Sequence, residues 1–160
     1  MRKTLAIGLM LVLSFGLVHG ENGKEKHGSE HIVLKPGDLK WGPAPPALPS
    51  GAQFAVLVGD PGKAGMFTIR AKMPDGYTVP PHWHPTDENV TVLQGTLLIG
   101  ASDKLDVAHA KELTAGSFMH MPKEMRHFAK AKGETIIQVH GMGPFEVTYV
   151  NAGDDPRTKK

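Results

Sequence analysis

Beyond residue 51 the chain reads as short apolar runs cut by turn residues. In MFTIRAKM, Phe67 and Ile69 alternate with Thr68 and Arg70. In ENVTVLQG, Val90 and Val92 share one phase. Side chains two apart on a strand point to the same face, so this period predicts half-buried strands. Further runs, AQFAVLVGD, TLLIGAS, GSFMHMP, HFAKA, ETIIQVHG and FEVTYVN, lie between GDPGKAG, PDG, Gly95, Gly116 and Pro122. Turn signals about every eight to twelve residues point to an all-β sandwich or barrel. The segment HIVLKPGDLKW, from His31, suggests a first strand and turn. DKLDVAHAKEL, 103–113, alone has helical character, as one turn or a longer loop. GPAPPALPSG, 42–51, holds four prolines and two glycines and is predicted to be an extended arm.

The start of the chain sits outside this pattern. MRKTLAIGLMLVLSFGLVHG has a basic opening at Arg2 and Lys3, an apolar run from Leu5 to Val18, and small residues Val18 and Gly20. The run is shorter than the ~20 residues that span a bilayer. It reads as a cleaved export signal over residues 1–20, so the expected location is periplasmic or secreted. The expected organisation is then a polar segment and proline-rich arm over 21–51, a β-barrel over 52–150 and a tail over 151–160.

Export changes the charge balance. The whole chain has 18 Lys and Arg against 16 Asp and Glu. Removing Arg2 and Lys3 leaves 18 − 2 = 16 against 16. A net-neutral chain has no basic field for nucleic acid or for an anionic membrane. The chain has no cysteine, so a metal ion would need imidazole and carboxylate ligands.

Those ligands concentrate in PPHWHPTDENV, residues 80–90. Helical zinc motifs place histidines four apart, whereas His82 and His84 are two apart and Pro80, Pro81 and Pro85 exclude a helix. On a strand, both imidazoles face one side, with Trp83 on the other. Glu88 is in phase with Val90 and Val92, which favours it over Asp87 as the inward carboxylate; an inward charge requires a partner. His127, in MPKEMRHFA, is the third imidazole candidate. Three histidines and one glutamate suit manganese, iron, cobalt, nickel or zinc.

These residues carry a resemblance to the cupin superfamily. Gly76, five residues, His82-x-His84, three residues, Glu88, six residues and Gly95 reproduce the family's first motif at every position. Gly116, Pro122 and His127 match the spacing of the second motif, while Glu124 stands where a turn glycine is usual and Ala131 where asparagine is usual. The resemblance covers roughly residues 52–150 and is strongest to small single-domain bacterial cupins. It implies a single-domain jelly-roll β-barrel, one divalent transition-metal ion held by His82, His84, Glu88 and His127, and frequent homodimers.

Two functions stay open. One is an enzyme acting on a small organic molecule, dioxygenase-like or a lyase, isomerase or decarboxylase. The other is a metal-binding or ligand-sensing module without turnover. His120 and His140 are the candidate catalytic proton carriers, should their strands turn them toward the pocket. His109 reads as solvated, and His27 and His31 lie in the polar start. Met119, Met121, Met125 and Met142 read as core filling or as an adaptable pocket wall. Asp154 and Asp155 are candidate surface partners of Arg157.

Overall fold

The computed structural model describes residues 31–159, so the expected export signal lies outside the described residues. Nine strands follow in order: β1 Gly42–Pro43, β2 Gln53–Val58, β3 Gly65–Met73, β4 Thr78–Trp83, β5 Glu88–Gly100, β6 Lys111–Thr114, β7 Phe118–Met121, β8 His127–Gly143 and β9 Thr148–Tyr149. All pairings between them are antiparallel.

The two long strands organise the fold. β5 and β8 pair from Glu88↔Gly141 to Gly100↔Phe128. On its other edge, β8 pairs first with β4, through His82↔His127, and then with β3, from Met73↔Thr135 to Gly65↔Gly143. One continuous sheet therefore curls into two leaves. One runs β9, β4, β8, β5, β6; the other runs β1, β2, β3, β8, β5, β7. This is an all-β jelly-roll barrel. Its interior takes every second residue: Phe67, Ile69, Ala71 and Met73 from β3, Val90 and Val92 from β5, and Ile137 and Val139 from β8.

The bends in β5 and β8 correct two sequence expectations. Gly95 was expected to end a strand, and HFAKA and ETIIQVHG were expected to be separate. Instead β5 runs through Gly95 and β8 through Gly133, each glycine with φ 73°. Register shifts flank Gly95 at Gln94 and Thr96. A residue in this conformation bulges and bends a strand without ending it, letting one strand serve both leaves.

Other differences are local. HIVLKPGDLKW forms no strand; Pro36–Asp38 is a 3-10 turn, with the Asp38 carboxylate accepting from the Lys35 amide at 2.8 Å. Pro36 has no amide hydrogen to offer a sheet. The helical reading of 103–113 holds only for a 3-10 turn at Val107–His109, because Lys111–Thr114 pairs with Thr96–Ile99. The final strand is reduced to Thr148–Tyr149.

The proline-rich arm is held against the barrel. Gly42 and Pro43 pair with Phe54 and Gln53. Tyr77 donates its hydroxyl to the Pro49 carbonyl at 2.6 Å, and Tyr149 donates to Ala47 at 2.9 Å. Each such bond is worth about 1 kcal/mol net. Arg157 pairs with Asp155 at 2.7 Å and donates to the Val147 carbonyl at 3.0 Å, fastening the tail.

Candidate metal centre

Pro80 and Pro81 keep β4 extended, and a register shift between Val79 and His82 turns its end inward. His82 and His84 are both buried at 4% exposure, although β4 ends at Trp83. Glu88 opens β5 on the interior face, 8% exposed, in phase with Val90 and Val92. His127 opens β8 directly opposite His82. Thus the first and third imidazoles meet through strand pairing, while His84 follows the end of β4 and Glu88 begins β5.

The four side chains form one cluster. Ring centroids are 4.2 Å apart for His82 and His127, 5.0 Å for His82 and His84, and 5.3 Å for His84 and His127. One ring nitrogen from each of the three histidines lies within 4.8 Å of the others. Glu88 Oε2 is 3.3 Å from His127 Nε2 and 3.7 Å from His84 Nε2. Two ligand atoms each ~2.1 Å from a common ion stand ~3 Å apart at a right angle, so this spacing fits one ion.

The hydrogen bonds set the tautomers. Nδ1 of His82 lies 2.7 Å from the Pro80 carbonyl, that of His84 2.7 Å from Glu146, and that of His127 2.9 Å from Met125. A carbonyl oxygen only accepts, so each Nδ1 carries the hydrogen and each neutral ring has its Nε2 lone pair free; those of His84 and His127 lie closest to Glu88. His84 Nε2 and Glu88 Oε2 are buried without a hydrogen-bond partner. Converging lone pairs without a hydrogen between them require a cation or an extra proton.

The acid–base balance follows from this packing. Burial, with the neighbouring imidazoles, pushes His82 down to about 3, so it stays neutral. Burial also lowers His84. Burial opposes the Glu88 charge, but contact with His127 and the other two histidines outweighs it and holds the carboxyl below the usual range. Burial likewise opposes the His127 charge, and Glu88 outweighs it, so His127 is raised. The Glu88 carboxylate therefore favours a proton on His127 over one on either of the other two rings.

Supporting residues separate from ligand candidates. Asp87 faces solvent and accepts from the Lys123 amide at 2.8 Å, fastening the loop that leads to His127. Glu124 has φ 63°, the left-handed conformation that explains why this motif position usually holds glycine. Its amide donates to the His84 carbonyl at 2.8 Å. Phe145 stacks on His84 at 4.2 Å between centroids. The motif alignment exposed Glu124, but no local signal marked Phe145.

His120 and His140 are candidate proton carriers only if their strands turn them toward the pocket, and neither side chain faces inward. Both stand opposite Asn89 across β5, on the outer surface, while Glu88 and Val90 face the interior. His120 Nδ1 contacts Asn89 Oδ1 at 2.9 Å outside the barrel. On β8 the reason is alternation: Ile137 and Val139 face the core, so Gln138 and His140 face away. His109 is also exposed, beside Asp106 at 2.7 Å. Met119 lines the interior cavity and Met121 is buried, whereas Met125 and Met142 are exposed.

The curled jelly-roll and its buried histidine–glutamate cluster are those of the cupin superfamily. The chain belongs to the family described as a domain of unknown function, DUF4437, whose model matches residues 17–148. It is 36% identical over 76 residues to germin-like protein 5-1 of Oryza sativa subsp. japonica, a match covering 47% of this chain and 34% of that protein. This chain thus spans about a third of the curated relative's length. Among solved structures, an acetylacetone dioxygenase from Acinetobacter johnsonii is 15% identical, with a TM-score of 0.62 over 82% of this chain and 85% of that one. The polyketide cyclase RemF from Streptomyces resistomycificus is 17% identical, with a TM-score of 0.61 over 80% and 91%. An RmlC-like cupin from Shewanella frigidimarina is 17% identical, with a TM-score of 0.56 over 71% and 91%. At these identities the structural likeness concerns the fold.

Proposed function

We propose that this is an exported cupin that holds one divalent transition-metal ion through His82, His84, His127 and Glu88 and acts there on a small organic molecule. The carrying observation is the convergence of three Nε2 lone pairs and a carboxylate oxygen in a buried site, with every Nδ1 already bonded to the backbone. Manganese, iron, cobalt, nickel and zinc suit this donor set. When bound, such an ion supplies Lewis acidity and, where redox-active, electron transfer to oxygen. The three backbone carbonyls hold the imidazoles in orientation, and Phe145 covers one face of His84. Oxygen-dependent chemistry is the favoured form, in keeping with the fold shared with an acetylacetone dioxygenase.

The second reading, a binding module without turnover, also has a specific observation behind it. Apart from the ligand cluster, Tyr77 is the sole titratable side chain lining the cavity among the described residues. Its hydroxyl is bonded to Pro49, and burial raises it to about 12. An enzyme at this site must therefore act through the metal and its ligands, without a separate acid or base. Substrate-dependent oxygen uptake by the iron-loaded protein supports the enzyme reading. Uptake matching that of the metal-free protein across candidate substrates favours the module.

Protein purified without chelators is expected to carry close to one ion per chain by elemental analysis. No uptake even after reconstitution would reject the metal reading. Affinity is expected to fall on acidification, because the ion must displace the raised His127 proton. Below that pKa the loss approaches about tenfold per pH unit for one displaced proton. A flat pH profile would remove His127 from the ligand set. Export predicts a mature native chain beginning near Glu21, read by intact mass; retention of residues 1–20 would reject cleavage.

A further inference from the structure

The metal cluster forms part of the wall of an interior cavity of about 80 Å³. The rest of that wall is hydrocarbon, including Ile69, Val90, Leu97, Ile137, Val139 and Phe145. Among the described residues it contains no Lys, Arg, Ser, Thr, Asn, Gln or Asp side chain. Outside the cluster, the single polar side-chain group lining it among the described residues is the Tyr77 hydroxyl, which donates to the Pro49 carbonyl. A second hydroxyl, amide or charge on a ligand would find no partner there and would lose its hydration.

One wall comes from outside the strands. Leu48, in the proline-rich arm, lines the cavity. Its two neighbours are each fastened to the barrel: Ala47 accepts from Tyr149 at 2.9 Å, and Pro49 accepts from Tyr77 at 2.6 Å. Bonds on both sides of one residue fix where its side chain enters.

We infer that the metal centre takes a compact ligand with its oxygen donors at one end and a short, branched, uncharged hydrocarbon body, and that Leu48 limits the length of that body. Sugars, amino acids and molecules with a second charged end are excluded by the bare wall. The inference rests on the proposed metal centre and adds the ligand class and the residue that bounds it.

The test uses the full mature chain loaded with zinc, which is redox-inert, after zinc content has been measured. Calorimetric titration compares isobutyrohydroxamate with lactohydroxamate, in both of which the two hydroxamate oxygens engage the zinc. These share one heavy-atom skeleton, and a methyl in the first is a hydroxyl in the second, left to the wall. Isobutyrohydroxamate is expected to bind at least about tenfold tighter, since the wall offers that hydroxyl nothing. Equal binding, or tighter binding of lactohydroxamate, overturns the ligand class while leaving the metal reading intact. A chain that takes up no zinc defeats the metal reading, and this inference with it. Xenon binding to the metal-free protein, followed by xenon NMR, tests the apolar cavity alone; saturable binding is expected, and its absence overturns the dry cavity. In Leu48→Ala, affinity for the longer 4-methylpentanoate relative to isovalerate is expected to rise at least about fivefold. An unchanged ratio removes Leu48 as the boundary.

Discussion

A Glu88→Gln variant loses its metal and keeps its fold. The substitution preserves shape and removes the one anion in the cluster, so affinity is expected to fall by more than about a hundredfold, beyond the ~10–100-fold typical of a lost supporting residue. The metal-free variant should melt no lower than the metal-free parent. At a pH above the raised His127 pKa, where this comparison is made, Glu88 Oε2 of the metal-free parent faces imidazole lone pairs at 3.3 and 3.7 Å. A glutamine amide supplies the missing hydrogen there, and satisfying a buried acceptor offsets its desolvation. Metal analysis after dialysis, with thermal melts of the metal-free forms, reads both effects. Full metal retention in Glu88→Gln would place the ion elsewhere. His120→Ala and His140→Ala are the matched controls: both side chains are on the outer face, and both variants should bind metal as the parent does.

The second large effect is expected at Gly95. A Cβ there would stand 2.3 Å from the Glu134 carbonyl oxygen and 2.9 Å from the Thr135 Cα, both backbone atoms that cannot move aside alone. The φ of 73° adds conformational strain for any residue with a side chain. Overpacking and strain together suggest that Gly95→Ala costs about 3 kcal/mol. For a domain of this size that lowers Tm by roughly 10 °C. Gly133 supplies the control, because it has the same φ but nothing within 4 Å of a built Cβ. Gly133→Ala should therefore cost only the strain, about 1 kcal/mol. Equal melting shifts for the two variants would show that crowding at the bend is unimportant.

Gly95 also shows the limits of local reading. A glycine between two apolar runs is the signal for a turn and equally for a bulge. What separates them is the partner strand. Here β8 runs alongside both halves of β5, so the chain bends and continues. His120 and His140 teach a related lesson. His140 was not resolved by the sequence, because Ile136 shares its phase while Ile137 and Val139 take the other. Nor was His120, since Phe118 and Met119 are both apolar; the structure exposes Phe118 and turns Met119 to the cavity. Alternation says which residues share a face, and only packing says which face is inside. Leu48 carries no local signal at all, being one apolar residue in a proline-rich arm.

The sequence by itself determined the all-β character and most of the candidate ligand set. Prolines and a two-residue spacing are enough to hold two imidazoles on one side of an extended chain, and the phase of Glu88 with two valines is enough to turn it inward. These are consequences of backbone geometry over a few residues. Tertiary structure decided the rest: the pairing that sets His127 opposite His82, the outward facing of His120 and His140, the bends at Gly95 and Gly133, and the closing of the cavity by Leu48. Each depends on strands or segments distant in sequence, whose contacts form only when the sheet curls and buries one of its faces.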